Sequence, residues 1–276
     1  MAPVKFDDIS KTAASVLSDD YQEKGFQFKT KQKTSWDGAV LSSQVDLFDA
    51  KDGVQTPAKL TWKLPAPLGK TFVSIDKLEF DKAGKMKMEC SSDKVHKDLK
   101  LELKSDLVDL AKVTAHCTYT GVKDLQLKLD TSPMNPNKFT AEATYAYGIY
   151  TVGAKCTADT LTAPDLGVRV LTGPYFGSLL VKEKLGAYSA HGFYKASDKL
   201  KCAATYTHGG KTSGNFSLGL FYELMKGTTV KAKVAQDQSI SCSVKHEISK
   251  GFTMIGGGKY DTKKGVYTYG LQLSVE

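Results

Sequence analysis

From about residue 25 to its last residue, this chain alternates apolar and polar positions with a period of two. Val113, Ala115, Cys117 and Tyr119 interleave with Thr114, His116 and Thr118, and Leu125, Leu127 and Leu129 with Gln126, Lys128 and Asp130. Successive side chains on a strand point to opposite faces, so each segment predicts a strand with one apolar and one polar face. The segments run about ten residues and are divided by short turn signals. Phe26 and Phe28 against Lys29, Lys31 and Lys33 begin the series, and Trp36-Asp37-Gly38 predicts the first turn. Ala39-Leu41-Val45-Leu47 alternates with Ser42-Gln44-Asp46, with a turn from Asp49 to Gly53. Ala58-Leu60-Trp62-Leu64 alternates with Lys59-Thr61-Lys63, and Pro65 to Gly69 turns the chain. Met86, Met88 and Cys90 sit opposite Lys85, Lys87 and Glu89, and Leu99, Leu101 and Leu103 opposite Lys100, Glu102 and Lys104. The second half repeats the arrangement through Val230-Ala232-Val234 against Lys231 and Lys233, closing on Tyr267-Tyr269-Leu271-Leu273-Val275. Alternation is weakest at Thr71–Leu78 and Tyr175–Lys184, where strands are still expected.

The first twenty residues differ in kind. Phe6, Ile9, Ala13, Val16 and Leu17 recur at helical spacing, with Asp7 or Asp8 as N-cap and Lys5 and Lys11 on the polar side. The expected organisation is an amphipathic helix and linker over residues 1–24 and one all-β unit over residues 25–276.

No stretch approaches the roughly 18 apolar residues of a membrane helix. Mean hydropathy of −0.29 resembles that of a soluble protein, but a transmembrane barrel hides its lipid-facing residues among polar lumen-facing ones. A soluble sandwich would need bulky fillers on its apolar faces. Here many of those positions are Ala, Cys or Tyr, and tyrosines gather near predicted strand ends (Tyr145, Tyr147, Tyr150, Tyr260, Tyr267), as in the aromatic girdles of membrane barrels. The favoured reading is a barrel with its apolar side outward. A soluble β-rich binding protein is the alternative, and alkaline carbonate extraction separates the two.

Thirty-eight basic against 30 acidic residues give a net charge of +8, and every basic residue but Arg169 is lysine. Arginine makes the bidentate contacts of base recognition, so its scarcity argues against nucleic-acid specificity. Lysines still attract small anions as point charges. The five cysteines stand singly on apolar faces, as small fillers do, and the opening residues lead into no apolar signal-peptide core, from which synthesis in the cytosol is expected.

Catalytic motifs fail on inspection. Gly209-Gly210-Lys211-Thr212 has Thr205 where a phosphate loop needs its first glycine, and it lies between strands. His246-Glu247 lacks a second histidine, and the five histidines have no ligand spacing. Gly256-Gly257-Gly258 sits within an alternating segment and predicts a kink or a close approach of another chain segment. Neither an enzyme nor a cofactor or metal site is expected.

Several segments resemble the eukaryotic mitochondrial porins, the voltage-dependent anion channels. Asp8-Ile9-Ser10-Lys11-Thr12-Ala13 is similar to the family's N-terminal helix and Phe28-Lys29-Thr30-Lys31 to its first strand. Tyr222-Glu223-Leu224-Met225 through Ala232-Lys233-Val234 to Ser241 follows the family's signature, departing at Met225, Lys226 and Gln236. Asp98-Leu99-Lys100 stands in place of the family's Gly-Leu-Lys, so a nucleotide role tied to that glycine is not carried over. The membrane-facing glutamate of some animal members has no clear match near Phe72 to Asp76.

The resemblance implies a barrel of 19 strands, the count known for this family. Its first and last strands, near Gly25–Thr34 and Val266–Val275, would pair in parallel, with the amphipathic helix (Phe6, Ile9, Ala13, Val16, Leu17) in the lumen as gating element. It also implies a voltage-gated, weakly anion-selective channel of the mitochondrial outer membrane. Lipid would surround the barrel, anionic metabolites such as nucleotides would pass through it, and homo-oligomers or outer-membrane complexes would be its assemblies. Lys11, Lys29, Lys31, Lys33, Lys59, Lys63, Lys85, Lys87, Lys100, Lys104, Lys231 and Lys233 are then the candidate pore-lining residues. Pairing with inward acids such as Glu102, Asp130 and Glu142 competes with that role. A protein-import barrel of the same membrane is the second alternative, disfavoured by the lysine excess.

Overall fold

The computed structural model describes residues 3–35, 38–50, 53–64, 73–210 and 214–276. The wall begins with β1 (Gly25–Lys33), β2 (Val40–Ala50), β3 (Gly53–Gln55), β4 (Ala58–Leu64), β5 (Ser74–Asp81), β6 (Met86–His96) and β7 (Leu99–Asp106). It continues with β8 (Thr114–Tyr119), β9 (Leu125–Ser132), β10 (Asn135–Tyr147), β11 (Tyr150–Thr157), β12 (Asp165–Thr172), β13 (Tyr175–Lys182) and β14 (Ala187–Lys195). The last six are β15 (Leu200–Gly209), β16 (Asn215–Met225), β17 (Thr228–Ala235), β18 (Ser239–Ser249), β19 (Phe252–Asp261) and β20 (Val266–Val275). β3 and β4 follow one another along β2, and the Asp46 N–H bonds the Pro57 carbonyl between them. They occupy one wall position, so the barrel has 19 strands.

Sequential strands pair antiparallel, and β1 pairs with β20 in parallel from Gly25↔Gly270 to Thr30↔Val275. An odd number of alternating strands brings the first and last together in the same direction. Among the described residues every strand but the short β3, which pairs with β2 alone, is paired on both sides, and such closure is the condition for crossing hydrocarbon.

The alternation has a direction. Leu129, Val152 and Leu218 are 44%, 49% and 50% exposed on the outer face, while the polar residues between them point inward. The five free cysteines share that outer face. Tyrosine pairs stack near strand ends, Tyr175 with Tyr194 at 4.9 Å and Tyr260 with Tyr267 at 4.2 Å between ring centroids.

Both weakly alternating stretches are explained. β13 points Phe176 and Leu180 into the lumen, where they are buried against the N-terminal segment, so large apolar residues stand on its inner face too. In β5 the register shifts between Ile75 and Lys77, a bulge that displaces the period at Asp76. Lys85 lies in the turn before β6 rather than on the strand, because the Lys85 carbonyl accepts from Asp81 N–H to close the hairpin. Gly209 and Gly210 take φ of 80° and 63° at the end of β15, a hairpin conformation rather than a phosphate loop. Trp36, Asp37, Lys51, Asp52, Pro65–Gly69, Thr71, Phe72, Lys211 and Thr212, named in the predicted turns and the weak strand, lie outside the described residues.

The N-terminal segment is a 3-10 turn, Phe6–Asp8, followed by α1 (Lys11–Leu17). Neither Asp7 nor Asp8 is the N-cap of α1. That position is Ser10, which makes no side-chain cap bond. The two carboxylates instead pair with Lys155 and Lys11.

Candidate functional site: a lumen with one bare and one covered wall

Over β1 to β7 the inward positions carry Lys29, Lys31, Lys33, Lys59, Lys63, Lys87, Lys100 and Lys104. Three of them have partners: Lys29 Nζ donates to Gln272 Oε1 at 3.3 Å, Lys31 pairs with Glu276 at 3.1 Å, and Lys100 with Glu102 at 2.6 Å. Lys33, Lys59, Lys63, Lys87 and Lys104 make no hydrogen bond or ion pair among the described residues. A recess of about 260 Å³ beside the parallel seam brings Lys29, Lys31 and Lys59 together with Ser42, Gln44 and Thr61. Among the described residues, the apolar face of the N-terminal segment does not pack on this wall, and Lys24 of the linker reaches it only over the Phe48 ring of β2, 6.0 Å from its centroid.

The opposite wall is a seat. Gly153, Gly167 and Gly219 face inward where a side chain would normally stand. A Cβ at Gly167 would meet Ile9 Cδ1 at 2.8 Å, and one at Gly219 would meet Leu17 Cδ2 at 2.6 Å. Phe6 and Ile9 pack on Leu180, and Ala13, Val16 and Leu17 on Phe176 and Ala203, all five segment residues being at least nine-tenths buried. A seven-residue helix is not stable alone in water. Here its apolar face leaves an aqueous lumen, which stabilises by about 1.5–3 kcal/mol for each fully buried large side chain.

Polar contacts finish the seat. Lys231, 6% exposed, donates to the carbonyls of Ser15 and Asp19 at 2.9 and 3.0 Å and so caps the C-terminal end of α1. Asp20 turns the chain in the left-handed region (φ 58°), and its carboxylate lies 3.5 Å from Lys231 and 3.3 Å from Lys245. Lys233 pairs with Glu23 at 2.7 Å and lies over the Tyr21 ring, 4.3 Å from its centroid. At the other end Lys155 bridges Asp7 at 3.1 Å and Glu142 at 3.0 Å. Burial pushes the Glu23 carboxyl up, but its pairing with Lys233 outweighs it and holds the group below the usual carboxylate range. The linker then crosses two glycines: a Cβ at Gly257 or Gly270 would lie 2.6 or 2.8 Å from the Gln22 carbonyl oxygen. The glycine run of β19 therefore does receive a close approach.

Of the candidate pore-lining residues, Lys231 and Lys233 are engaged by the N-terminal segment, and Lys85 stands at the rim. Lys11 is on the open side of α1, 71% exposed and 3.2 Å from Asp8. Lys155 and Lys245, which hold the segment, are absent from the candidate set. Their signal in the sequence is Asp7, Asp20 and Glu23, acids in a segment that must lie against a lysine-rich wall.

Among solved structures, the chain is similar to mutant forms of a porin from Rhodopseudomonas blastica. One has 10% identity and a TM-score of 0.45, covering 87% of this chain and 93% of that one. Another has 9% identity, a TM-score of 0.47 and the same coverage. No curated protein matches the chain by sequence at a significant level. The family model described as eukaryotic porin matches residues 2–270. The closed 19-strand wall, its outward apolar face and this match together place the chain in the eukaryotic porin family, as a pore-forming channel.

Proposed function

We propose that this channel sits in the mitochondrial outer membrane and passes small solutes by diffusion, with a modest preference for anions such as nucleotides, phosphate and carboxylates. The observation that carries the reading is the bare wall, where Lys33, Lys59, Lys63, Lys87 and Lys104 form no direct ion pair among the described residues, while Glu79 lies in the field of Lys59 and Lys87 and Glu102 in that of Lys104. Such a field raises the local concentration of anions and is screened over about 8 Å at physiological salt, so the preference should fade as salt rises. The response to voltage is a further part of the proposal. An elementary charge crossing the full potential is worth about 2.3 kcal/mol per 100 mV, so displacing a few lumen charges part-way shifts an open–closed equilibrium. Planar-bilayer recording of the purified protein tests both parts: the expected result is a pore conductance that changes with applied voltage, with an anion-favouring reversal potential.

A further inference from the structure

The N-terminal segment is seated in two pieces. In front, Phe6 and Ile9 pack on Leu180 with Val4 beside them; behind, Ala13, Val16 and Leu17 pack on Phe176 and Ala203. The two apolar clusters share no residue, and Ser10 stands between them as an N-cap without a side-chain cap bond. Such a cap leaves the first N–H groups of α1 without the partner that fixes a helix start. Asp8 and Lys11 form the one ion pair across this junction among the described residues, and an exposed pair of that kind holds little.

Both pieces bury apolar side chains, so their polar anchors decide which is firmer. Behind the junction, Lys231 holds the carbonyls of Ser15 and Asp19, and Ser243 Oγ donates to the Asp20 carbonyl at 2.5 Å. Lys245 and Lys233 add ion pairs to Asp20 and Glu23. In front, the anchor is Asp7 on Lys155, and the Asp7 side chain is 63% exposed. Lys5 forms no ion pair among the described residues and reaches Glu102 through its field.

Lys155 does not depend on Asp7. Its Nζ also lies 3.0 Å from Glu142, a buried carboxylate of β10. Glu142 is 3.5 Å from Lys128, Lys128 pairs with Asp130 at 2.6 Å, and Asp130 lies 2.5 Å from His116 Nδ1. This row across β8 to β11 is complete without the segment. When Asp7 leaves, Lys155 keeps Glu142 and Asp7 is solvated, so no charge is left buried and unpaired. Two carboxylates on one ammonium also repel each other, so Glu142 weakens the hold on Asp7.

We propose that Asp7 and Glu142 compete for Lys155, and that residues 4–9 unseat as a flap hinged at Ser10 while α1 and the linker stay in place. The helix is then a fixed lining of the lumen, and the moving part is the turn before it. Its test needs no applied voltage, so its outcome is independent of the conductance proposal.

Amide exchange of the full-length barrel in lipid nanodiscs, followed by NMR, compares the two pieces. Asp8 and Ile9 N–H groups donate to the Lys5 and Phe6 carbonyls, and those of Ala14 and Ser18 to Ser10 and Ala14. The front pair is expected to exchange at least tenfold faster than the back pair. Fraying of a chain end would give that result too, so Glu142→Gln separates the two explanations. With its competitor gone, Asp7 holds Lys155 alone, and the front pair should slow severalfold while the back pair is unchanged. Asp7→Asn should speed the front pair severalfold and leave the back pair as it was. Circular dichroism checks that each variant keeps its strands. If Glu142→Gln does not fold, Asp7→Asn decides alone. Equal exchange of the two pairs in the wild type, front exchange unchanged or faster in folded Glu142→Gln, or unchanged in Asp7→Asn, overturns the proposal.

Discussion

The two walls of this lumen are built from the same alternating strands and do opposite things with their lysines. On β1 to β7 five of them form no ion pair among the described residues, and those that are paired, such as Lys77 with Glu79 and Glu89 or Lys100 with Glu102, find acids of the wall itself. On β10 to β18 Lys155, Lys231, Lys233 and Lys245 are spent on a segment more than a hundred residues away in sequence, as Lys155 is on Asp7 and Lys231 on Ser15 and Asp19. The difference follows from what each wall faces. An ammonium in water keeps its hydration, and its field reaches passing ions. One covered by a helix must find acceptors or lose that hydration uncompensated. Lysine count along a strand is therefore a poor guide to selectivity, and whether a charge remains unpaired is a better one.

The contrast can be broken from the covered side first. Lys231→Met keeps the aliphatic stem but removes the charged donor from two carbonyls, bonds each worth about 1.5–3 kcal/mol. Amide exchange at Ala14 and Ser18 should accelerate about 100-fold, with the barrel strands unaffected. Gly219→Leu forces a side chain into the place of Leu17 at an overpacking cost of about 1–3 kcal/mol, so the same amides should exchange about tenfold faster. A Lys33→Gln, Lys59→Gln, Lys63→Gln triple variant should leave that exchange unchanged and instead cut anion preference severalfold. The smallest effect concerns pH. Because the Glu23 carboxyl is depressed in the folded protein, its tether to Lys233 is fully present above the ordinary value of 4.5 and is lost only as pH falls through the lowered one. Exchange protection of α1, corrected for the intrinsic pH dependence, should thus stay flat from pH 8 to about 5.

Much of this was legible in the residues. Period-two alternation gave the strands and their faces, because one register slip would turn every side chain over. Helical spacing gave Phe6, Ile9, Ala13, Val16 and Leu17 as one face, which the structure buries. The sequence was silent on which lysines that segment consumes, since Lys231 and Ser15 meet only after the barrel has closed. The strand expected at Tyr175–Lys184 is present as β13, and its alternation is weak because the N-terminal segment, not water, lies over Phe176 and Leu180. Asp7 and Asp8 looked like caps because local spacing cannot show a cross-lumen partner such as Lys155. The close approach expected at Gly256-Gly257-Gly258 is made by the Gln22 backbone, which lies on Gly257 and also on Gly270.

The central claim is that anion preference comes from the bare wall and segment docking from the covered one. Reversal potential in a planar bilayer under a potassium chloride gradient tests it most directly, comparing the Lys33→Gln, Lys59→Gln, Lys63→Gln triple variant with a Lys155→Gln, Lys245→Gln pair from the covered wall. The account predicts that the triple variant moves the potential most of the way towards zero, while the pair leaves it within a small fraction of the wild-type value. Equal shifts in the two variants, or a larger one in the pair, would contradict it.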